Sequence, residues 1–289
     1  YKTDYSNASR TQLFNLHSLQ WDTEICEKFG LDAVDLPQIC DSDAVFGITD
    51  LNGFLPKAIP ICSVLGDSHA ALFGQRCLDR GDIKATYGTG SSVMMNIGQG
   101  PIFSGHGLVT SLAWKYRGAV RYVMEGNLNY TGAVIRWLQK DLGLIDTPNE
   151  CEMLARSAWE DDETYVVPAF TGLGAPYWDS SARATICGIT RRTGRAELVK
   201  AGLECIAYQI ADVVQAMEQD TGIKVQTISA DGGATKNSYL MQFQSNILDA
   251  RLLVSEVEEL SGLGAAYMAG FSFGIYDDTV RENLVRRIY

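Results

Sequence analysis

An α/β fold, built on a mixed sheet with helices on its faces, is the expectation from the order of patterned segments. Two observations carry it. Between residues 82 and 125, short alternating runs joined by glycine turns read as antiparallel strands. From 195 onward, helical patterns alternate with short β-like runs, and that order places helices against a sheet. No internal repeat of 20–50 residues competes with this reading.

Taken in chain order, residues 1–60 are polar and mixed. The stretch Asn15–Leu31 sets Leu19, Ile25 and Phe29 among charges, which predicts a helix. Pro60–Leu65 is a short β-like run ending in Gly66-Asp67-Ser68, and the small, apolar segment Ala70–Leu78 predicts a buried helix. Asp82–Tyr87 and Ser92–Ile97 flank Gly88-Thr89-Gly90 and predict a hairpin. Leu108–Lys115 and Ala119–Glu125 continue the antiparallel pattern. Helices are predicted from about Tyr130 to Leu142, where Val134, Trp137 and Leu138 share a face, and from Arg195 to Asp220. Val225–Ala230 reads as a strand, Asp231-Gly232-Gly233-Ala234 as the turn after it, and a helix follows through Leu248. A strand at 251–255 and a small-residue helix at 262–274 complete the order.

Composition narrows the function classes. With 289 residues and 46% hydrophobic content, the chain accommodates two domains and a sizeable core. A formal net charge of −11 argues against a nucleic-acid partner or an anionic membrane surface, so any phosphate must be held locally, by backbone amides and a metal ion. Cysteines at 26, 40, 62, 77, 151, 187 and 205 include no C-x-x-C pair, and this scatter fits buried thiols in a reducing cytosol. Three histidines without H-x-H or H-E-x-x-H spacing argue against a zinc or iron centre. No apolar run approaches the ~20 residues of a membrane span, and a cytoplasmic location is the expectation.

Three places bear chemistry. Gly88-Thr89-Gly90, at a hairpin tip, would let backbone approach a phosphate and offer the threonine hydroxyl to it; it is equally an ordinary tight turn. Asp231-Gly232-Gly233-Ala234 opens a helix and would present amides and a positive helix end to an anion or nucleotide, with Asn237 pointing its amide at the same mouth. The bland reading is a strand–helix turn with an aspartate cap. Asp67 is either a helix N-cap or a general base beside a substrate hydroxyl, and periodicity leaves both open.

Longer strings carry a resemblance. Gly66–Gln75, Thr86–Gly90, Val167–Asp179, Ser229–Asn237 with Leu240–Ser245, Gly264–Gly270 and the opening Thr3–Thr11 are similar, in order, to FGGY-family carbohydrate kinases, closest to their glycerol-kinase branch. The resemblance implies an actin-like, ribonuclease-H-like fold of two domains with an ATP cleft between them. It implies that residues 1–75 are the end of the N-terminal substrate domain and 76–289 most of the C-terminal nucleotide-binding domain, without its last helix. Asp67 matches the catalytic aspartate. Gly88, Thr89 and Gly90 match the turn at the ATP phosphates. Gly132 and Arg136 match positions lining the nucleotide, the latter often Gln in the family. Gly232, Gly233, Ala234 and Asn237 match the adenosine side. ATP and Mg2+, a small polyol or sugar substrate and room for a homodimer follow from the same resemblance.

The chain departs from the family in three ways. Ser68 stands where glycerol kinases carry Gln, and Ser92 where they carry Phe, which makes a roomier substrate pocket and admits a larger polyol or a ketose such as xylulose. Gly172–Trp178 favours the glycerol-kinase branch. The family's first phosphate loop, an Asp-x-Gly-Thr-Thr, does not occur, so a fragment inactive on its own is the expectation. A nucleotide-binding protein of the same fold without catalysis is the alternative, and Asp67 speaks for the enzyme.

Overall fold

The structure is a computed structural model that describes residues 1–277 and 284–289. Its centre is a seven-stranded mixed sheet built from β1 (Ile83–Tyr87), β2 (Ser91–Gly98), β3 (Val109–Tyr116), β4 (Ala119–Leu128), β5 (Thr227–Asp231), β6 (Arg251–Ser255) and β7 (Arg286–Ile288). The order across the sheet is β7-β6-β5-β1-β2-β4-β3. β5 runs parallel to both β1 and β6, and the other neighbours are antiparallel. Hairpin turns suffice for the antiparallel half; the parallel pairs need the helical crossovers that the second half of the chain supplies.

Six helices of eight or more residues cover the sheet among the described residues: α1 (Asp67–Gly74), α2 (Gly132–Lys140), α3 (Glu150–Ser157), α4 (Arg195–Thr221), α5 (Ser238–Leu248) and α6 (Leu260–Ser272). Side chains alternate across each strand. Ile83, Ala85, Tyr87, Val93 and Met95 therefore join the core that contains Val199, Leu203 and Ile206 of α4. Met94, Ala113 and Val123 join Leu72 and Phe73 of α1 and Met268 and Phe271 of α6. α1 and α6 cross backbone to backbone: a β-carbon on Gly74 would lie 2.5 Å from the Leu260 carbonyl oxygen, and one on Gly264 would overlap the carbonyl of Ala70.

Four expectations need correction. The helix at 15–31 is instead a hairpin of Phe14–Asn15 with Gln20–Trp21, followed by a six-residue helix, Thr23–Lys28. Asn15 Oδ1 accepts from the backbone of His17 and Ser18, and Leu19 sits at φ 59, so a polar turn outweighs the apolar spacing. The β-like run at 60–65 is strand only over Ile59–Ile61, paired with Gly47–Thr49. The helix placed at 70–78 begins earlier, at Asp67, and stops at Gly74, because Arg76 takes a left-handed φ of 67. Finally, no α-helix opens directly on the Asp231 turn: a 3-10 turn, Gly233–Lys236, comes first. Sequence reading also missed α3, β7 and the strand pair Tyr165–Val167 with Thr185–Cys187.

Candidate functional site

The two glycine turns meet. In the parallel pairing of β5 with β1, Asp231 lies opposite Thr86, so the residues leaving both strands emerge side by side. Gly232 takes φ 99, and a β-carbon there would lie 2.5 Å from the carbonyl oxygen of Tyr87; glycine is what lets the turns close on each other. The start of α2 is laced to the first turn by Thr131 N to Thr89 O (3.1 Å), Gly132 N to Gly88 O (2.9 Å) and Ala133 N to Thr89 O (3.0 Å). Gly132 also has no room for a β-carbon, which would sit 2.5 Å from Gly88 O.

A cavity of about 800 Å³ opens here, lined by Gly88, Thr89, Gly132, Arg136, Gly233, Ala234 and Asn237. These sequence-predicted residues come together although they lie on three separate segments. Gly90 and Gly232 do not line it: the former packs against the backbone at Leu128 and Asn129, and the latter faces a neighbouring hollow beside Ser255. Pro148, Asn149 and Glu152, which sequence reading missed, form the far wall. A signal was present. Thr147-Pro148-Asn149-Glu150 is a helix-start pattern, and Glu150 Oε1 does accept from Thr147 N (3.0 Å).

The N-terminus of α5 is closed. Asn237 caps it, its Oδ1 accepting from Leu240 N (3.0 Å), so only the amide NH2 remains for the cavity. Ser238 N donates to Glu152 Oε2 (3.1 Å), and Ser238 Oγ donates to the same carboxylate. Arg156 donates to Glu152 through Nε (3.1 Å) and Nη2 (2.9 Å). The Ser238 hydrogen bonds, with Arg156 adding to them, hold the Glu152 carboxyl below its ordinary range. Open helix amides, expected here from sequence, are replaced by a resident carboxylate.

Asp67 is the first residue of α1 and is exposed; Gly66 holds the cap position, so Asp67 is not the N-cap. Its Oδ1 accepts from Ser68 N (2.6 Å). The entry to α1 is fixed from the other side by Gly66 N donating to Ser6 Oγ (2.8 Å). Asp4, fully buried, anchors that segment by accepting from Ser6 N and Oγ, Asn7 N and Nδ2, and Ser42 Oγ. Asp67, Ser68 and Ser92 do not line the 800 Å³ cavity.

A polar layer on the α1 side of the sheet lies between the two places. Gln75 Nε2 donates to Asp231 Oδ2 (2.9 Å), and buried Lys84 donates to Thr86 Oγ1 (2.9 Å). Ser92 Oγ donates to Glu125 Oε1 (3.1 Å), whose other oxygen pairs with Arg10 (3.0 Å). Burial lowers the Lys84 pKa, opposed by Asp231 and Glu125. Among the described residues no cluster of three or more His, Cys, Asp or Glu side chains is placed to hold a metal, and no helix is long and apolar enough to cross a membrane.

Known proteins resemble this chain in sequence and fold. The C-terminal domain of the FGGY family of carbohydrate kinases matches residues 83–273, and the N-terminal domain of the same family matches residues 1–74. A glycerol kinase of Haloferax volcanii is 49% identical over 286 residues, 97% of this chain and 56% of its own length. One from Francisella tularensis subsp. tularensis is 46% identical, covering 96% and 55%. The chain therefore spans about half the length of the curated relatives it matches. Among solved structures, Plasmodium falciparum glycerol kinase with ADP superposes at a TM-score of 0.91 with 37% identity, over 97% of this chain and 57% of that one. A ligand-bound xylulose kinase of Lactobacillus acidophilus superposes at 0.88 with 22% identity over 99% and 59%, a likeness of fold alone. With both domain models of the family matched and glycerol kinases at nearly half identity along almost all of its length, this chain belongs to the FGGY family of carbohydrate kinases.

Proposed function

We propose that the chain supplies the nucleotide cleft and the general base of an ATP-dependent kinase acting on a hydroxyl of a small polyol or sugar, glycerol foremost. The observation that carries this reading is the convergence of Gly88-Thr89, Gly132 and Gly233 on one cavity, joined through Gln75 and Asp231 to the helix that begins with Asp67. Residues 1–75 serve as part of a substrate domain and 76–289 as a nucleotide domain. The side-chain-free turns bring backbone amides and the Thr89 hydroxyl to the phosphates. Arg136, one helical turn beyond Gly132, adds positive charge to the wall, and Asn237 directs its NH2 at the nucleoside. Asp67, exposed and held by one backbone amide, takes the proton of the accepting hydroxyl. Ser68 and Ser92 face the acceptor.

Phosphoryl transfer asks for positioning and charge neutralisation more than for covalent chemistry, so a cleft of backbone amides with a single base suits it. ATP supplies the phosphoryl group and Mg2+ neutralises its charge when bound. A magnesium ion chelated by phosphates needs only one or two protein carboxylates, so a site without a three-ligand cluster among the described residues still suits it. A ketose kinase is the second reading, favoured by the hydroxyls at 68 and 92. A protein that binds nucleotide without catalysis would have no use for Asp67. The test is ADP release in the full protein against a panel of polyols and ketoses. Acceptor-dependent release supports the reading; nucleotide binding without any acceptor-dependent turnover would replace it with the silent alternative.

A further inference from the structure

We propose that Glu152 is the resident anion of the α5 N-terminus and that it sets the polarity of the bound nucleotide, a positioning role that rests on the kinase reading above. The cavity has two unlike ends. α2 runs along it from Gly132, bonded to the Thr89 turn, to Lys140, a rise of about 12 Å. At the Gly132 end the wall is glycine backbone from Gly88 and Gly233, and no carboxylate lines it. At the other end stand Asn149, Glu152 and the Asn237 cap, with Lys140 of α2.

An uncapped N-terminus on an eleven-residue helix would be a second seat for phosphate, because free amides and the helix dipole both favour an anion. Here the seat is taken. Ser238 N and Oγ and two nitrogens of Arg156 all donate to the Glu152 carboxylate, and Asn237 Oδ1 accepts from Leu240 N. A phosphate arriving at this end meets a donor set already engaged by a carboxylate that is itself paired with Arg156. The glycine end offers amides with no resident carboxylate. Polarity follows: phosphates at the Thr89 turn, nucleoside against α3 and Asn237. Because the Asn237 oxygen is held by its own helix, its two N–H donors are left for an acceptor on the nucleoside.

Removing the carboxylate should turn the seat into an anion site. In Glu152→Ala, Ser238 N, Ser238 Oγ and Arg156 lose their shared acceptor, and Arg156 Nη2 remains 3.2 Å from Ser238 Oγ, ready to hold a free phosphate. The experiment measures ADP affinity by calorimetry and melting temperature by fluorescence for the unmodified protein, Glu152→Ala and Glu152→Gln, with and without inorganic phosphate. The expected result is ADP binding weakened about tenfold in both variants, more so with phosphate present. Phosphate should raise the melting temperature of Glu152→Ala and leave the unmodified protein unchanged. A merely structural Glu152 would lower the melting temperature without phosphate sensitivity, and that result, or unaltered ADP affinity, overturns the inference. Should the alanine variant fail to fold, the isosteric Glu152→Gln decides alone through its ADP affinity and phosphate response. Failure of the unmodified protein to bind ADP overturns the nucleotide-cleft reading itself, a distinguishable outcome.

Discussion

Gln75 Nε2 donates to Asp231 Oδ2 over 2.9 Å, joining residues 156 positions apart. Gln75 follows the last residue of α1, the helix that Asp67 begins, and Asp231 ends β5 immediately before Gly232-Gly233. One buried amide thus ties the helix of the base to a wall of the cavity. Gln75 is held in turn, its carbonyl accepting from Arg286 Nη2 (2.6 Å). Changing Gln75→Leu leaves Asp231 buried without that donor, and the expected loss is about 1–3 kcal/mol of stability. Turnover in the full protein should fall further than ADP affinity does, since the cavity survives while the base loses its register. Urea unfolding and steady-state kinetics check this; stability within about 0.5 kcal/mol of the unmodified protein would show the bond to be dispensable.

Asp67→Asn keeps shape and removes the base. Turnover in the full protein should drop ~10²–10⁴-fold while ADP affinity holds, because Asp67 is outside the cavity lining. Retention of more than about a tenth of the original rate would assign the proton to another group.

Gly264→Ala tests the α1–α6 contact. The new methyl would overlap the Ala70 carbonyl and approach Gly74 N at 2.9 Å, and both are backbone atoms that cannot rotate away. A loss of about 1–3 kcal/mol or more is expected. Gly262→Ala, on the same helix, meets only the Glu259 side chain at 3.3 Å and serves as the control. Equal stability of the two variants would mean that the helices are further apart than described.

The elements most legible in the sequence were those where a steric demand admits few residues. Gly132 and Gly232 are needed because backbone occupies the space of a side chain, and the alternation in β1 and β2 records two buried faces. The far wall was harder to read, since α3 buries only Cys151 and Ala155 and so carries a faint apolar stripe. The helix expected at 15–31 failed because Asn15 offers its neighbours a turn that apolar spacing does not register. The Gln75–Asp231 tie was illegible in principle: each residue is ordinary alone, and only the packing of α1 on the sheet brings one to the other.

His69 gives the fold a pH dependence. Burial pushes its pKa down to about 3, with Arg10 and Lys84 acting the same way and Asp67 opposing them. In the unfolded chain the value returns to about 6.5. Between these values the unfolded chain binds the extra proton, so this contribution is complete above about pH 6.5 and is lost as pH falls toward 3, at up to about 1.4 kcal/mol per pH unit. His69→Gln retains a polar group near Ser111, 3.4 Å from the imidazole, without that proton. Between pH 7 and 5 the unmodified protein should lose about 2 kcal/mol more than the variant in urea unfolding. Parallel losses would show that His69 is protonated in the folded state.

Acceptor choice turns on positions 68 and 92. Two serines offer hydroxyls and space where glycerol kinases carry an amide and a ring, which from sequence favours an acceptor with more oxygens than glycerol. The structure weakens half of that argument. Ser92 Oγ donates to Glu125 Oε1, and Glu125 is fixed by Arg10, so the proton of Ser92 already has a partner and only its lone pairs remain for a ligand. Ser68 keeps the case open, since its side chain is half-buried beside the proposed base. A site wired for additional hydroxyls discriminates against a substrate lacking them, because its own polar groups go unpaired. If the two serines govern choice, a four- or five-carbon polyol or ketose should exceed glycerol in kcat/KM. Ser92→Phe should then restore glycerol by refilling the space and releasing Glu125 to Arg10 alone. If other residues refill the pocket, glycerol wins in the unmodified protein. Direct competition between glycerol and D-xylulose in the full protein, repeated with Ser92→Phe, separates the cases. A clear win for glycerol that the substitution leaves untouched would remove Ser92 from the determinants of specificity.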